Sequence, residues 1–294
     1  MAFTAASGYI AGAFHVQYGF RNSNGYCIGN DTTPDSSTVP QTSHMQYLGT
    51  ITSFTAPTPT VEKAMFQGGQ KMRGSIVLGV TDMGTASFEL ADHNEVFQAY
   101  IKGATVDVTT NTEWASTPAN VGQVDFPRMV VMIAGKFQHA TDLSTYWMNW
   151  VFHNVEISVT TPPGTSQAGG VNPNPTGYTM DLSDSARNGL TGRPFSSSSG
   201  LYVVDGTDAW TMIRTRYPLA LTTFVADGTE LGYTVGYRPV YDDATGAAQN
   251  SMSLNGVTDA ATSISTTTGA VIYTPAGTTG DIYQCAYQTQ FVAI

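Results

Sequence analysis

Apolar and polar residues alternate at period two in many short runs along this chain. Phe14, Val16, Tyr18 and Phe20 interleave with His15, Gln17 and Gly19, the pattern of a half-buried strand. Further strands are predicted from Gln46 to Phe54, Ser75 to Val80, Thr105 to Thr110, Met129 to Ala134, Tyr146 to Phe152, Val155 to Thr161 and Ala209 to Tyr217. Beyond Thr223 the alternation runs through 233–237, loosens in 263–265 and 270–273, and returns over 282–287. Asp227-Gly228, Asn255-Gly256, Pro275-Ala276-Gly277 and Thr279-Gly280 divide these later runs. Short alternating runs with turn residues every ten or so positions predict a small β-sandwich at the C-terminal end.

One helix interrupts the strands, predicted over 92–102. Asp92 is a suitable N-cap, and Glu95 three residues on completes a capping box. Val96 with Tyr100, and Phe97 with Ile101, put apolar residues on one face. Lys102 suits the last turn and Gly103 the left-handed position after it. Four polar, Gly/Pro/Ser-rich stretches read as loops: 21–45, 56–74, 162–178 and 192–200. Met65 and Phe66 stand out in the second as apolar residues in a polar, Gly-flanked setting, which points to a partner surface more than to a core.

Composition supports the β reading. Only 12% of the 294 residues are charged, about half the usual 25%, and Thr, Val and Tyr replace the long charged side chains that favour helices. The expected fold is mainly β: a sandwich or barrel-like domain over 1–217 with one flanking helix, then a small β-sandwich over 218–294, divided at Pro218. Net charge is −10. Residues before Tyr217 hold 16 acids and 11 bases, and those from it onward 6 acids and 1 base. No cluster of Lys and Arg occurs, which disfavours tight binding to a phosphate backbone. The first residues carry no basic then apolar leader, and no run of 18 apolar residues suggests a membrane span, so synthesis in a cytoplasm is expected.

Candidate chemistry is sparse. His15, His44, His93, His139 and His153 are scattered without metal-binding spacing, and no nucleophile elbow, P-loop or dinucleotide fingerprint is present. Asp181 with Asp184, Asp205 with Asp208, and Asp242 with Asp243 suit either turn caps or calcium ligands, capping being the commoner use. Two carboxylates facing one another across a cleft, as a glycosidase needs, are not signalled. Trp147 and Trp150 fit a strand buried on both faces, or a stacking platform for sugars or bases. Cys27 and Cys285 read as two buried thiols, with a disulfide left open. No catalytic residue, metal or cofactor is expected.

The order of these features resembles bacteriophage tail tube proteins, the major tail proteins of long-tailed phages. The resemblance rests on an early strand and long loop, Tyr47-Leu48-Gly49-Thr50-Ile51 followed by a Pro-containing loop, and Thr85-Ala86-Ser87-Phe88-Glu89-Leu90 leading into Asp92–Lys102 and Gly103-Ala104. Strands ending in Phe152-His153-Asn154-Val155-Glu156-Ile157 complete it. The C-terminal order DGTE, YTVGYRP, SLNGV, VIYTPAGTTGDIYQCAY is similar to small β-sandwich modules on phage virion proteins. Residues 162–217 match only loosely. What the resemblance implies is a structural virion protein rather than an enzyme: hexameric rings stacked into a tube that conducts DNA, with the C-terminal module outside. Its partners would be itself, other tail proteins and DNA in transit, and not a membrane. Tyr26, Met65, Phe66, Val96 and Phe97 are then the candidate subunit-interface residues. The alternatives are a capsid-decorating or glycan-binding virion protein, and an enzyme acting on polysaccharide.

Overall fold

The computed structural model describes residues 8–21, 41–58, 60–68, 71–82, 84–91, 94–101, 105–106, 114–115, 127–140, 142–161, 176–182, 210–226, 228–229, 232–241, 251–254, 257–258, 263–265, 267–272 and 278–289. The chain begins with β1 (Gly8–Phe20), β2 (Gln41–His44), β3 (Gln46–Thr55), β4 (Thr60–Gly68), β5 (Lys71–Asp82) and β6 (Thr85–Leu90). After α1 (Glu95–Ile101) come β7 (Thr105–Val106), β8 (Trp114–Ala115), β9 (Met129–His139), β10 (Thr145–Thr161), β11 (Thr176–Leu182) and β12 (Trp210–Thr215). The remainder is β13 (Leu219–Val225), β14 (Gly232–Thr234), β15 (Val240–Tyr241), β16 (Ser251–Leu254), β17 (Val257–Thr258), β18 (Ser263–Ile264), β19 (Ala270–Ile272) and β20 (Ile282–Thr289). The chain is mainly β, as its composition predicts.

Six strands close into an antiparallel barrel. The pairings run β1–β3–β6–β11–β10–β9 and return to β1. Alternation sends Val16, Tyr18, Phe88, Leu90, Met129, Val131, Ile133, Phe152, Ile157, Tyr178 and Met180 into one buried cluster inside it. The barrel is therefore solid, filled by side chains as small barrels are. Helix α1 covers one end. Phe97 lies 4.7 Å from Tyr18 and 5.4 Å from Tyr178, ring centre to ring centre, and Tyr100 packs on Phe20. At the other end Phe14 gathers Phe54, Phe137 and Trp150 around it at about 6 Å. Gly135 is needed there, since a Cβ would come within 2.4 Å of the Phe14 ring.

β10 shapes the rest. The expected strands 146–152 and 155–161 are one continuous 17-residue strand. Its first half pairs with β12 and its second with β11. The change of partner falls at a register irregularity between Phe152 and Val155, where His153 and Asn154 lie buried. A bulge bends the strand without ending it, and β12 therefore extends the sheet past the closed barrel.

The later strands form a second sheet in the order β17–β16–β20–β13–β2, with β15 also on β20, and a three-stranded sheet β14–β19–β18. Every residue of β20 is buried, as are Leu219 to Phe224 of β13. The reason is coverage on both faces. Leu219, Leu221 and Ala286 pack with Met45, Val130, Met132, Val151 and Ile213 on the outer wall of the barrel. Ala220, Phe224, Tyr283, Cys285 and Tyr287 pack on the other side with Tyr233, Val235, Val240 and Val271.

The segment after Tyr217 shares a sheet and a core with the earlier chain: β2 is an edge strand of its sheet, and its wall-facing core is shared with the barrel. Three expectations are corrected. The expected loop 56–74 is largely the hairpin β4–β5, with Met65 opposite Ser75 and Phe66 opposite Gly74. Gly84 at the hairpin base has φ +81, and a Cβ there would meet the Thr58 carbonyl at 2.7 Å. The end of the expected loop 21–45 is the strand β2. The helix starts later than predicted: Asn94, whose Oδ1 accepts the Phe97 N–H at 2.8 Å, caps it, and Asp92, Lys102 and Gly103 fall outside the described residues.

Candidate functional site

Four of the five predicted interface residues fall on two separate elements. Met65 and Phe66 lie together on β4. Val96 and Phe97 lie on α1, and Phe97 is fully buried against the barrel interior. Phe97 thus anchors the helix within its own chain and has no surface to give a partner, a correction to the expected role. Tyr26 falls outside the described residues, as do Cys27, His93, Asp184, Asp205, Asp208, Asp242 and Asp243. The hairpin β4–β5 pairs with no other strand among the described residues. β12 ends the barrel sheet, and it carries Met212, 48% exposed.

Among the described residues no three His, Cys, Asp or Glu side chains gather as metal ligands, and no helix is long and apolar enough to cross a membrane. Cys285 is a buried free thiol, and burial pushes its pKa up, which keeps it protonated and unreactive. His15 and His44 are held below the usual histidine range by burial. His15 sits on the outer wall with Nδ1 3.0 Å from the Tyr47 hydroxyl and its ring 5.7 Å from Trp147. Trp150 points the other way, against Phe14 and Phe54. The two tryptophans are on opposite faces and form no common platform. At the far end of the same strands Arg214 lies over the Tyr146 ring at 4.2 Å and contacts His139 Nε2.

The polar side chains that organise the molecule are ones the sequence did not single out. Gln17 Nε2 donates to the Leu219 carbonyl at 2.8 Å. Asn149 Nδ2 donates to the Ile213 carbonyl and to Thr215 Oγ1, while its Oδ1 accepts the Leu219 N–H. Gln288 Oε1 accepts the N–H groups of both Arg216 and Tyr217. These buried amides satisfy the backbone as it crosses from β12 to β13, where no ladder can. A second crossing occurs at Met45, between β2 in one sheet and β3 in the other. There the Tyr237 hydroxyl donates to the Met45 carbonyl and accepts the Tyr47 N–H. Gln17 stands at a polar position of an alternating run, which sequence reads as solvent-facing, and Asn149 on a strand read as buried on both faces.

The barrel consequently has two unlike walls. One, made by β1, β9, β12 and the first half of β10, is covered by the second sheet. The other, made by β6, β11, the second half of β10 and the end of β3, is not. Comparison with known protein families and with curated proteins finds no match for this chain.

Proposed function

We propose that the chain is a structural subunit of a phage tail tube, assembling with copies of itself into stacked rings around a DNA-conducting channel. The observation that carries this reading is the long hairpin β4–β5, whose edges have no strand beside them among the described residues. Open strand edges of that length are a liability in a lone molecule and an asset in an assembly. The side-chain-filled barrel supports the reading as well, since a passage for DNA would have to lie between copies and not through one. The small β-sandwich at the C-terminal end belongs to the same proposal, formed by the two later sheets around Phe224, Tyr233, Val271 and Tyr287, with the module on the outside of the tube.

Negative-stain electron microscopy of the purified full chain tests it. Rings or hollow tubes are expected. Persistent monomers or fibre-like trimers would count against the tube, and glycan-array binding by the full chain would favour a receptor-binding virion protein instead.

A further inference from the structure

We propose that His44 is an acid-operated latch: neutral, it holds the edge strand β2 on β13, and protonated, it releases that strand. The device needs only one chain, so it works whether or not copies assemble. β2 is four residues long and pairs with β13 alone, from Gln41 opposite Val225 to His44 opposite Thr222. So short an edge strand has few ladder bonds to lose. The His44 ring is half-buried and meets Tyr237 edge to face, ring centres 5.5 Å apart. It lies so close to Gly236 that a Cβ there would strike it. The Gly236 N–H donates to Thr222 Oγ1, and the Tyr237 N–H to the Tyr287 hydroxyl. The ring is thus clasped against backbone that is itself anchored to β13 and β20.

This seat suits a neutral ring and not a charged one. The side chains around it are Tyr237 beside it and Thr222 opposite it, whose hydroxyl lies 3.4 Å from that of Tyr287 on β20. None of the three is a carboxylate, so a proton on His44 gains no counter-charge there. Burial alone holds its titration low. A charged ring recovers its hydration by swinging out of the clasp, and β2 goes with it. Release ends at Met45, whose side chain is buried in the apolar contact between wall and second sheet and whose N–H donates to the Leu221 carbonyl. Beyond it β3 stays paired with β1 and β6. Acid therefore frees the edge of β13 from Thr222 to Val225 while the barrel remains closed. An edge opened in this way accepts a strand from elsewhere. His15, on the barrel side of the same crossing, differs. Its Nδ1 lies 3.0 Å from the Tyr47 hydroxyl, which has Thr50 Oγ1 at 3.2 Å as a second partner. A protonated His15 donates to Tyr47, and Tyr47 donates to Thr50, with no strand displaced. Lys136, diagonal to His15 on the same face, opposes that proton.

Hydrogen exchange of the full chain, read by mass spectrometry at about pH 7.5 and about pH 5.5, tests the latch on either side of the ordinary histidine value. A ring of ordinary value 6.5 that takes its proton only when released favours release about tenfold at about pH 5.5. After correction for the intrinsic pH dependence of exchange, protection over 41–44 and 222–225 should fall by about that factor. Protection of the β9–β10 ladder should not change. His44→Gln should abolish the fall, and His15→Gln should leave it in place. An equal fall in β9–β10 makes the effect global and overturns the latch. So does no fall at all, a fall that survives His44→Gln, or one that His15→Gln removes. If His44→Gln does not fold, the His44 ring resonances of the parent decide. Proton uptake at the pH where β2 is released supports the latch, and uptake without release, or release without uptake, overturns it.

Discussion

At the scale of single residues, the molecule depends on a few amides placed where two sheets exchange a strand. Asn149 satisfies the Leu219 N–H and the Ile213 carbonyl at once, both away from water. Asn149→Ala should orphan these groups and cost about 3 kcal/mol, read as a lower urea midpoint at unchanged slope. A loss below about 1 kcal/mol would show that the crossing is satisfied some other way. Histidine burial gives a pH dependence with a defined sign. His15 and His44 are held by burial below the ordinary histidine value of 6.5, so the unfolded chain takes up protons first as pH falls. Their neutral forms are fully compatible with folding above pH 6.5, and stability is lost as pH drops below it. Urea midpoints at pH 7.5 and 5.5, in buffers chosen on either side of that value, should differ in that direction. The difference should shrink in a His15→Gln, His44→Gln double variant; an equal drop in the variant would move the cause elsewhere.

At the scale of elements, alternation made most barrel strands legible. Val16, Tyr18 and Phe20 point inward as the pattern requires, β3 follows its predicted span closely, and β9 starts where predicted but runs on to His139. The pattern misled where burial is two-sided. β20 alternates in sequence yet is buried throughout, because its Gln284 and Gln288 lie among protein groups and not in water. The helix was legible by its apolar pairs but not by its start, since Asp92 and Asn94 are both good caps and only tertiary placement chooses between them. Asn94→Ala should therefore destabilise the chain by about 1 kcal/mol, while Asp92→Ala should change little; the reverse order would restore the longer helix. Of the hairpin β4–β5, the second strand was legible over 75–80, but the first was hidden by its Gly and polar residues, which read as loop. Replacing Met65 and Phe66 together with Ser should leave the circular dichroism spectrum unchanged and impair polymerisation. Collapse of the spectrum would make them core residues.

At the scale of the whole molecule, the two regions expected on either side of Pro218 share a core. The contact between Met45, Val130, Met132, Val151 and Ile213 on one side and Leu219, Leu221 and Ala286 on the other is apolar and closed. A chain ending at Tyr217 should expose that wall, aggregate on expression and bind a hydrophobic dye. A soluble, monodisperse product with native-like spectra would show that the barrel stands alone. Sequence could not reveal this union, because it depends on residues far apart in the chain whose local patterns are each satisfied by a separate-domain reading.

The crossing at Met45 has a consequence for synthesis. Met45 and the tyrosine that secures it, Tyr237, are 192 residues apart. At ribosomal rates of about 5–20 residues per second, the early strand waits on the order of ten to forty seconds for its partners. Through that interval Met45 lacks the groups that later close over it. Successful biogenesis then turns on what shields a nascent chain until its last strands emerge, and a host poor in such shielding would recover aggregates from a sequence that is sound once complete.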